Sequence, residues 1–267
     1  MKKMKLAFLG VGNMASAILT GLQSITDDRD IYLYDPLPAA TARFTERQYN
    51  IAPSAPAAVA AADCVIFAVK PQTVPALLEE LREANVCEGK TLVSIAAGVP
   101  IAVFTRALGE LPVVRTMPNT PMLIGAGLTA LCRNSLVDDD TFAAVRQIFD
   151  ATGSTIVLDE EDMNKIISVT SSSPAYIFLM IDSIWKSGLA QGLPEDGLLE
   201  AVCSTVIGSA RLVKETGKSP EELIAMVCSK KGTTEQAMLK LVEHRFPEVI
   251  HEAMLACTNR ADELGRI

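Results

Sequence analysis

Short apolar runs alternate with amphipathic stretches through the first half of the chain. The runs are residues 6–9, 31–34, 64–69, 91–95 and 112–117. Their length and largely apolar character are typical of strands buried on both faces of a sheet. The stretches between them, including residues 74–82 and 101–108, have the apolar spacing of helices. Because strand, small-residue loop, helix and strand recur in this order, we predict an α/β fold with a doubly wound parallel sheet.

The first run leads into a turn of the form G-x-G-x-x-A, which is the pattern of a dinucleotide-binding turn. Gly10 permits a sharp turn, Gly12 leaves room for a pyrophosphate, and Ala15 lets the next helix pack closely on the strand. The first N–H groups of that helix would face the phosphates together with the positive end of its dipole. We therefore predict a dinucleotide held by Leu9, Gly10, Val11, Gly12, Asn13 and Met14.

The second run ends on Asp35, roughly 20 residues beyond the glycines. The motif places an acidic residue there to bind the adenosine ribose. A carboxylate at this position would repel a 2′-phosphate and would favour NADH over NADPH. The alternative is that Asp35 is a turn residue, because Asp followed by Pro36 also favours a turn.

The pattern changes after Leu158, and helical periodicity dominates from Met163 onward. Ser219 with Pro220 behind it predicts a helix start, and Gly217 can close the preceding helix. We predict two domains, a dinucleotide-binding Rossmann domain over residues 1–160 and an all-α domain over residues 161–267. In the all-α domain, segments 177–181 and 223–227 are apolar around more than one helix face. This favours a homodimer or a larger assembly.

Composition narrows the class of protein. The 267 residues carry a formal net charge of −8, which argues against nucleic acid and anionic membranes as partners. No apolar stretch approaches the ~18 residues that span a bilayer. The six cysteines form no C-x-x-C pair, so we predict free thiols in a cytoplasmic protein. No metal site is predicted, since the chain has only His244 and His251, which we expect on one face of one helix.

The first residues superficially resemble a signal peptide, because lysines precede a short apolar run. Two glycines and an asparagine interrupt that run, and cleavage would remove the first strand of the sheet. We therefore predict that this segment is not a signal peptide.

One loop of the helical half has distinctive chemistry, Ser229-Lys230-Lys231-Gly232-Thr233-Thr234-Glu235 before a helix predicted from Gln236. Glycine and two threonines at a helix start offer N–H donors and hydroxyls, which suit a carboxylate. An ordinary threonine cap explains the same residues equally well.

Several motifs, in order, resemble the pyrroline-5-carboxylate reductase family across essentially the whole chain. They are residues 10–15, 68–71, 96–98, 115–121, 172–176, 192–194 and 229–234. The resemblance implies NADH- or NADPH-dependent hydride transfer to the C=N bond of 1-pyrroline-5-carboxylate, giving L-proline in the last step of proline biosynthesis. A protonated imine is already an electrophile, so the enzyme mainly holds the reacting carbons about 3–3.5 Å apart.

The resemblance also implies which residues line the two sites. Further coenzyme contacts fall on Ala68, Val69, Lys70, Pro71, Ala96, Ala97, Gly98 and Asn119, with Asn119 near the nicotinamide. Substrate contacts fall on Ser229, Gly232, Thr233 and Thr234, at a site that a second subunit completes. Within this set, Thr234 is the predicted catalytic residue, its hydroxyl bonding the ring nitrogen.

Two departures from the family pattern affect these expectations. The family usually has S-G-S-G-P-A-Y, where this chain has Ser171 and Ser173 in place of both glycines. Serine disfavours positive φ but is tolerated at an ordinary helix start. The family also usually has S-P-G-G-T-T, where this chain has Lys230 and Lys231. We expect Lys230 in solvent, whereas Lys231 either adds charge beside the carboxylate or crowds it.

Two other functions are compatible with the architecture. A β-hydroxyacid dehydrogenase usually has a catalytic lysine a few residues before an asparagine, but here Asn164 directly precedes Lys165. A non-catalytic nucleotide-binding regulator is compatible with the lost glycines at Ser171 and Ser173.

Overall fold

The computed structural model of the chain describes residues 4–44 and 46–266. Residues 1–3, which belong to the signal-peptide alternative, lie outside the described residues. The strands are β1 Leu6–Leu9, β2 Ile31–Tyr34, β3 Asn50–Ile51, β4 Cys64–Phe67, β5 Thr91–Ser94, β6 Val113–Met117, β7 Gly127–Arg133 and β8 Gly153–Val157. The described strands form one sheet in the order β3-β2-β1-β4-β5-β6-β7-β8.

The helices of the first part of the chain are α1 Asn13–Leu22, α2 Pro38–Ala42, α3 Ala55–Ala61, α4 Val74–Ala84, α5 Ile101–Leu108 and α6 Asp139–Asp150. Those of the second part are α7 Ser173–Ala190, α8 Leu198–Thr216, α9 Pro220–Val227, α10 Thr233–Glu243 and α11 Phe246–Leu264. Between the two parts, Glu160–Asp162 forms a 3₁₀ turn and Ile167–Ser171 a turn of π-helix. The predicted α/β class and the change to helices after Leu158 are confirmed.

All pairings in the sheet are parallel except β6 with β7, where Arg115 lies opposite Cys132. The predicted doubly wound parallel sheet is thus confirmed as a parallel-dominated sheet, with one antiparallel pairing that the sequence pattern did not indicate. The chain reverses after β6, so β7 runs back beside it without a helical crossover. Strands β1, β2, β4, β5 and β6 still end at one edge, and the predicted coenzyme loops all follow those ends.

Strand β1 shows why the first runs are apolar. Leu6 and Phe8 join the cluster that includes buried residues of α1 and α6, while Ala7 and Leu9 join the cluster with α3, α4 and α5. Because helices cover both faces, every residue of the strand is buried. A continuous apolar run is the expected sequence for such a strand.

By compactness the chain divides into unit 1, Met1–Ser172 with Ala256–Ile267, and unit 2, Ser173–Leu255. Helix α11 begins in unit 2 and ends in unit 1. The domain limits at residues 160 and 161 stay a prediction, because these units follow compactness alone. None of the helices formed by the described residues combines the length and apolar character that crossing a membrane requires.

Unit 2 leaves many large apolar side chains exposed. They include Ile177, Phe178, Leu179, Ile184, Ile224, Met226, Val227, Leu241 and Val242. This agrees with the sequence prediction that these helices are apolar around more than one face.

The helix ends of unit 2 partly follow prediction. Ser219 and Glu222 form a capping box at the start of α9, and Gly217 closes α8 at a φ of 66°. Helix α10 begins at Thr233 rather than at the predicted Gln236, because Gly232 is its N-cap. The expectation for the histidines is also wrong, since His244 ends α10 and His251 lies within α11.

Candidate active site

The glycine turn after β1 is built on close backbone contact. Gly10 has a φ of +90°, and its N–H donates to the carbonyl oxygen of Tyr34 at 2.8 Å. A Cβ on Gly10 would lie 2.7 Å from the carbonyl oxygen of Ala68 and 2.9 Å from Val69 Cγ1. Both the conformation and the space therefore require glycine here.

The next glycine of the turn faces open space. A Cβ on Gly12 would meet no atom within 4 Å, and Gly12 caps α1 without any side-chain hydrogen bond. The first N–H groups of a helix have no intrahelical acceptor, so those of Asn13 and Met14 point out of the helix start. The turn offers exposed donors, the positive end of a helix dipole and room beside Gly12, so it fits a pyrophosphate.

Asp35 already has backbone partners. One carboxylate oxygen accepts from the N–H of Val11 and the other from the N–H of Leu37, each at 2.9 Å. The guanidinium of Arg43 donates to the carbonyl oxygen of Val11 and lies over the ring of Phe44. The acid predicted to bind ribose thus also fixes the glycine turn, and sequence reasoning missed the cation beside it.

The loops after β4 and β5 lie at the same sheet edge. The N–H of Ala68 donates to the carbonyl oxygen of Leu9 at 2.8 Å, which places this loop against the glycine turn. Lys70 is exposed and precedes the short 3₁₀ helix that begins at Pro71. The N–H of Ala96 bonds Ser94 Oγ at 3.2 Å, and Gly98 has a φ of +80°.

Asn119 is buried, and both ends of its amide are used within the protein. Its Nδ2 donates to the carbonyl oxygen of Thr170 at 3.0 Å, and its Oδ1 accepts from the N–H of Leu128 at 2.9 Å. The side chain thereby ties the end of β6 to β7 and to the π-helical turn. A contact with the nicotinamide remains a prediction.

Arg115 is a buried cation that sequence reasoning passed over. It is 4% exposed, donates to Asn164 Oδ1, and has a guanidinium nitrogen 3.7 Å from Glu160 Oε1. Burial lowers the pKa of Arg115, and burial likewise raises the pKa of the neighbouring Cys132 thiol to about 12. A charged residue inside the apolar run 112–117 was the signal that could have identified it.

The threonine loop of unit 2 forms a tight turn into α10. Lys231 has a φ of 61°, and its N–H donates to Glu235 Oε2 at 2.7 Å. A Cβ on Gly232 would lie 2.3 Å from Ser229 Oγ and 2.9 Å from the carbonyl oxygen of Ser229, so the turn leaves little room for a side chain there. Thr233 and Thr234 occupy the first turn of α10.

The two departures from the family pattern are accommodated differently. Ser171 and Ser173 both lie outside the positive-φ region, and Ser171 Oγ donates to the carbonyl oxygen of Pro118 at 3.1 Å. Serine is therefore unstrained at these positions. Lys230 and Lys231 are exposed, as expected for Lys230, but Lys231 has the left-handed conformation that favours glycine.

The alternative of a β-hydroxyacid dehydrogenase finds no support in the arrangement of Asn164 and Lys165. Lys165 is exposed and pairs with Asp162 at 2.6 Å, while Asn164 bonds Arg115 and Asp262. The described residues contain no cluster of three or more metal-ligating side chains.

The sheet and the open glycine turn at its edge define a dinucleotide-binding protein. Two family profiles match the chain, "NADP oxidoreductase coenzyme F420-dependent" over residues 5–98 and "Pyrroline-5-carboxylate reductase dimerisation" over residues 160–264. The pyrroline-5-carboxylate reductase of Escherichia coli strain K12 is 36% identical over 266 residues, or 98% of each chain.

Solved structures agree with this relationship. Pyrroline carboxylate reductase of Plasmodium falciparum with NADP bound superposes with a TM-score of 0.91 at 27% identity, covering 99% of both chains. The enzyme from Streptococcus pyogenes gives 0.90 at 31% identity, covering 97% of this chain and 98% of that one. The chain belongs to the pyrroline-5-carboxylate reductase family.

Proposed function

We propose that this chain reduces the C=N bond of 1-pyrroline-5-carboxylate to give L-proline, with the residue roles described below. The observation that carries the proposal is full-length similarity to reductases of that name, in a chain that has both the glycine turn and the threonine helix start. A bound reduced nicotinamide supplies the hydride equivalent that this reduction needs. The protein's part is to bind, orient and exclude water.

The dinucleotide is held at the sheet edge described above. The open space at Gly12 and the N–H groups at the start of α1 receive the pyrophosphate. The loops with Ala68–Pro71 and Ala96–Gly98 border the rest of the coenzyme, because they follow neighbouring strands β4 and β5.

Coenzyme preference depends on two opposite charges beside Val11. The Asp35 carboxylate would accept from a ribose hydroxyl and repel a 2′-phosphate, so it biases the site toward NADH. Arg43 donates to the carbonyl oxygen of the same residue, Val11, and weakens that bias. Steady-state kinetics with NADH and NADPH on one imine tests this assignment, and a large NADPH advantage would contradict it.

The substrate is held by the turn into α10. The carboxylate is received beside Gly232 by the hydroxyl of Ser229 and by the N–H and hydroxyl of Thr233, since a helix start without a side-chain cap favours an anion. The N–H of Gly232 itself donates to the carbonyl oxygen of Ser229 and shapes the turn. The Thr234 hydroxyl bonds the ring nitrogen and holds the imine carbon toward the coenzyme. No strong acid is needed, because the protonated imine is already electrophilic.

Self-association follows from the match to a dimerisation family and from the exposed apolar side chains of unit 2. We further propose that a second subunit completes the substrate site and that the domain boundary falls near residue 160, where the dimerisation profile begins. The six free cysteines are the state expected in the reducing cytoplasm, which is the proposed location.

The direct test follows the absorbance of reduced nicotinamide as purified protein is mixed with 1-pyrroline-5-carboxylate. Turnover with formation of proline is expected, with none when 3-hydroxy acids and oxidised coenzyme are supplied instead. Tight coenzyme binding without turnover on any of these compounds would favour the non-catalytic alternative.

A further inference from the structure

The end of α11 lies directly on the loop that follows β5. A Cβ on Gly98 would lie 2.5 Å from the carbonyl oxygen of Ala261, and a Cβ on Gly265 would lie 2.5 Å from the carbonyl oxygen of Gly98. Ala261 is buried, although α11 is otherwise largely exposed. Two glycines therefore let the backbones of the loop and the last helical turn meet without side chains between them.

A chain of polar contacts fastens this turn to the sheet. Asn164 Nδ2 donates to Asp262 Oδ1 at 2.6 Å, and Asn164 Oδ1 accepts from the buried guanidinium of Arg115. Arg115 lies in β6, opposite Ser94 at the end of β5. The contact between α11 and Gly98 is thus anchored on the neighbouring strand, close to where the loop leaves the sheet.

The same guanidinium supports the far end of the loop. Glu160, whose Oε1 is 3.7 Å from Arg115, accepts from the N–H of Ile101 at 2.7 Å. Ile101 is the first residue of α5, which directly follows the loop. One buried cation therefore connects both supports of residues 96–101, one through Glu160 and one through Asn164 and Asp262.

We propose that Arg115, Asn164 and Asp262 form a positioning cluster that holds the end of α11 against Gly98 and so fixes the Ala96–Gly98 loop for coenzyme binding. The inference rests on the proposed function in one respect, which is that this loop borders the coenzyme. None of the three residues is among those proposed above to contact coenzyme or substrate, so each acts through the loop.

The cluster affects binding and chemistry unequally. A loop that samples several positions must be ordered when the coenzyme binds, which raises the dissociation constant. Once the coenzyme is bound, the loop is ordered and the reacting groups are held as before. Loosening the cluster should therefore weaken coenzyme binding and leave kcat at saturating coenzyme nearly unchanged.

The decisive variant is Asp262→Ala, because Asp262 is exposed and its loss does not open the core. Glu263→Ala is the matched control, since it removes an exposed acid from the next position of the same helix and its pair with Arg260. Asp262→Asn is the conservative variant, because its amide oxygen still accepts from Asn164. All are compared as full-length protein in its native assembly.

Three measurements are made on each variant: the dissociation constant of NADH, the steady-state constants, and hydrogen exchange of a peptide covering residues 95–101 without coenzyme. For Asp262→Ala we expect a roughly fivefold weaker affinity for NADH, faster exchange in that peptide, and unchanged kcat and imine KM. Glu263→Ala should match the wild type, and Asp262→Asn should recover most of the affinity.

Unchanged exchange and affinity in Asp262→Ala would overturn the inference, as would a parallel loss of kcat, both KM values and thermal stability. Failure of the proposed function has a different signature, namely wild-type protein that does not turn over the imine. In that case exchange and NADH affinity still decide the role of the cluster. Wild-type protein that binds neither NADH nor NADPH would overturn both.

Discussion

The two units bury their apolar side chains to very different extents. In unit 1, Phe8, Phe67, Phe104 and Phe149 are fully buried between the sheet and its helices. Within residues 173–255, all of which the structure describes, Val202 is the only hydrophobic side chain that is buried. The first unit therefore completes a core within one chain, whereas the second has apolar surface to bury against another molecule.

The two candidate binding sites also differ between the units, with the coenzyme turn in unit 1 and the threonine loop in unit 2. The glycine turn of unit 1 donates hydrogen bonds to Tyr34 and Asp35 and packs against the backbone of Ala68. Its geometry is therefore set by contacts within the chain. In unit 2, the bonds that shape the threonine loop are local, from Gly232 to Ser229 and from Lys231 to Glu235, and both Ser229 and Thr233 are exposed. Coenzyme binding should consequently tolerate changes to unit 2, whereas turnover should depend on it.

The largest expected effect comes from removing one hydroxyl of the substrate site, which should impair turnover without impairing coenzyme binding. In Thr234→Ala, loss of the bond to the ring nitrogen should lower kcat/KM for the imine by about 10³-fold, or about 4 kcal/mol. The dissociation constant of NADH should stay within about twofold, because the hydroxyl belongs to the substrate site. Steady-state kinetics and NADH titration measure the two effects.

Thr234→Ser keeps the hydroxyl and serves as the matched control. It should recover most of the activity of the wild type. Equal activity in Thr234→Ala and wild type would remove Thr234 from the proposed mechanism.

The second prediction compares two glycines of the same turn. Gly10→Ala places a Cβ against Ala68 in a positive-φ conformation, and it should destabilise the protein by about 3 kcal/mol. Gly12→Ala meets no protein atom, so its thermal stability should be that of the wild type. Its NADH affinity should nevertheless fall about tenfold, because the new methyl occupies the proposed pyrophosphate space.

Thermal unfolding and NADH titration of both variants test this contrast. If Gly12→Ala bound NADH as tightly as the wild type, the proposed position of the pyrophosphate would be wrong.

The third prediction tests the apolar surface of unit 2 directly. Leu179 is 66% exposed, and Leu179→Glu should weaken self-association by about 2 kcal/mol, because a charge would be buried in the interface. Leu136, which is 47% exposed in unit 1, provides the same substitution as a control. Leu136→Glu should leave the assembly intact.

Sedimentation across a range of concentrations distinguishes the two variants. Leu179→Glu should shift toward monomer at concentrations where Leu136→Glu and the wild type remain associated. Identical behaviour of all three would show that this part of α7 lies outside the interface.

Local signals allowed much of the fold to be predicted from the sequence. Strand β1, the start of α1 and helix α5 follow directly from apolar runs and small-residue turns. The capping box at Ser219 is likewise a local pattern. Strands β3, β7 and β8 were missed, because β3 has two residues and because β7 and β8 begin with glycine and include polar residues, so neither is a continuous apolar run.

Part of the site could not be predicted, because it depends on contacts between residues that are far apart in the sequence. The contact of Arg115 with Asn164 spans 49 residues, and that of Asn164 with Asp262 spans 98. No spacing rule connects such positions, so sequence reasoning placed only Arg115 within a motif and gave it no role. The additional partner of Asp35 was hidden for the same reason, since Val11 lies 24 residues away.

The smallest expected effect concerns the loop in which unit 2 departs from the family pattern. Lys231 has a φ of 61°, a conformation that costs a residue with a side chain about 1 kcal/mol. Lys231→Gly should relieve that strain but gain flexibility in the unfolded chain, leaving a net stabilisation of about 0.5 kcal/mol.

Denaturant unfolding at a fixed protein concentration measures this difference, because the stability of an oligomer depends on concentration. Lys230→Gly is the control. Because Lys230 lies outside the positive-φ region, glycine at this position should slightly destabilise the protein. Both lysines are exposed, so neither variant should change the imine KM more than about twofold. A much larger rise in KM confined to Lys231→Gly would mean that the ammonium attracts the substrate carboxylate, and unit 2 would then hold part of its site through charge rather than through the helix start.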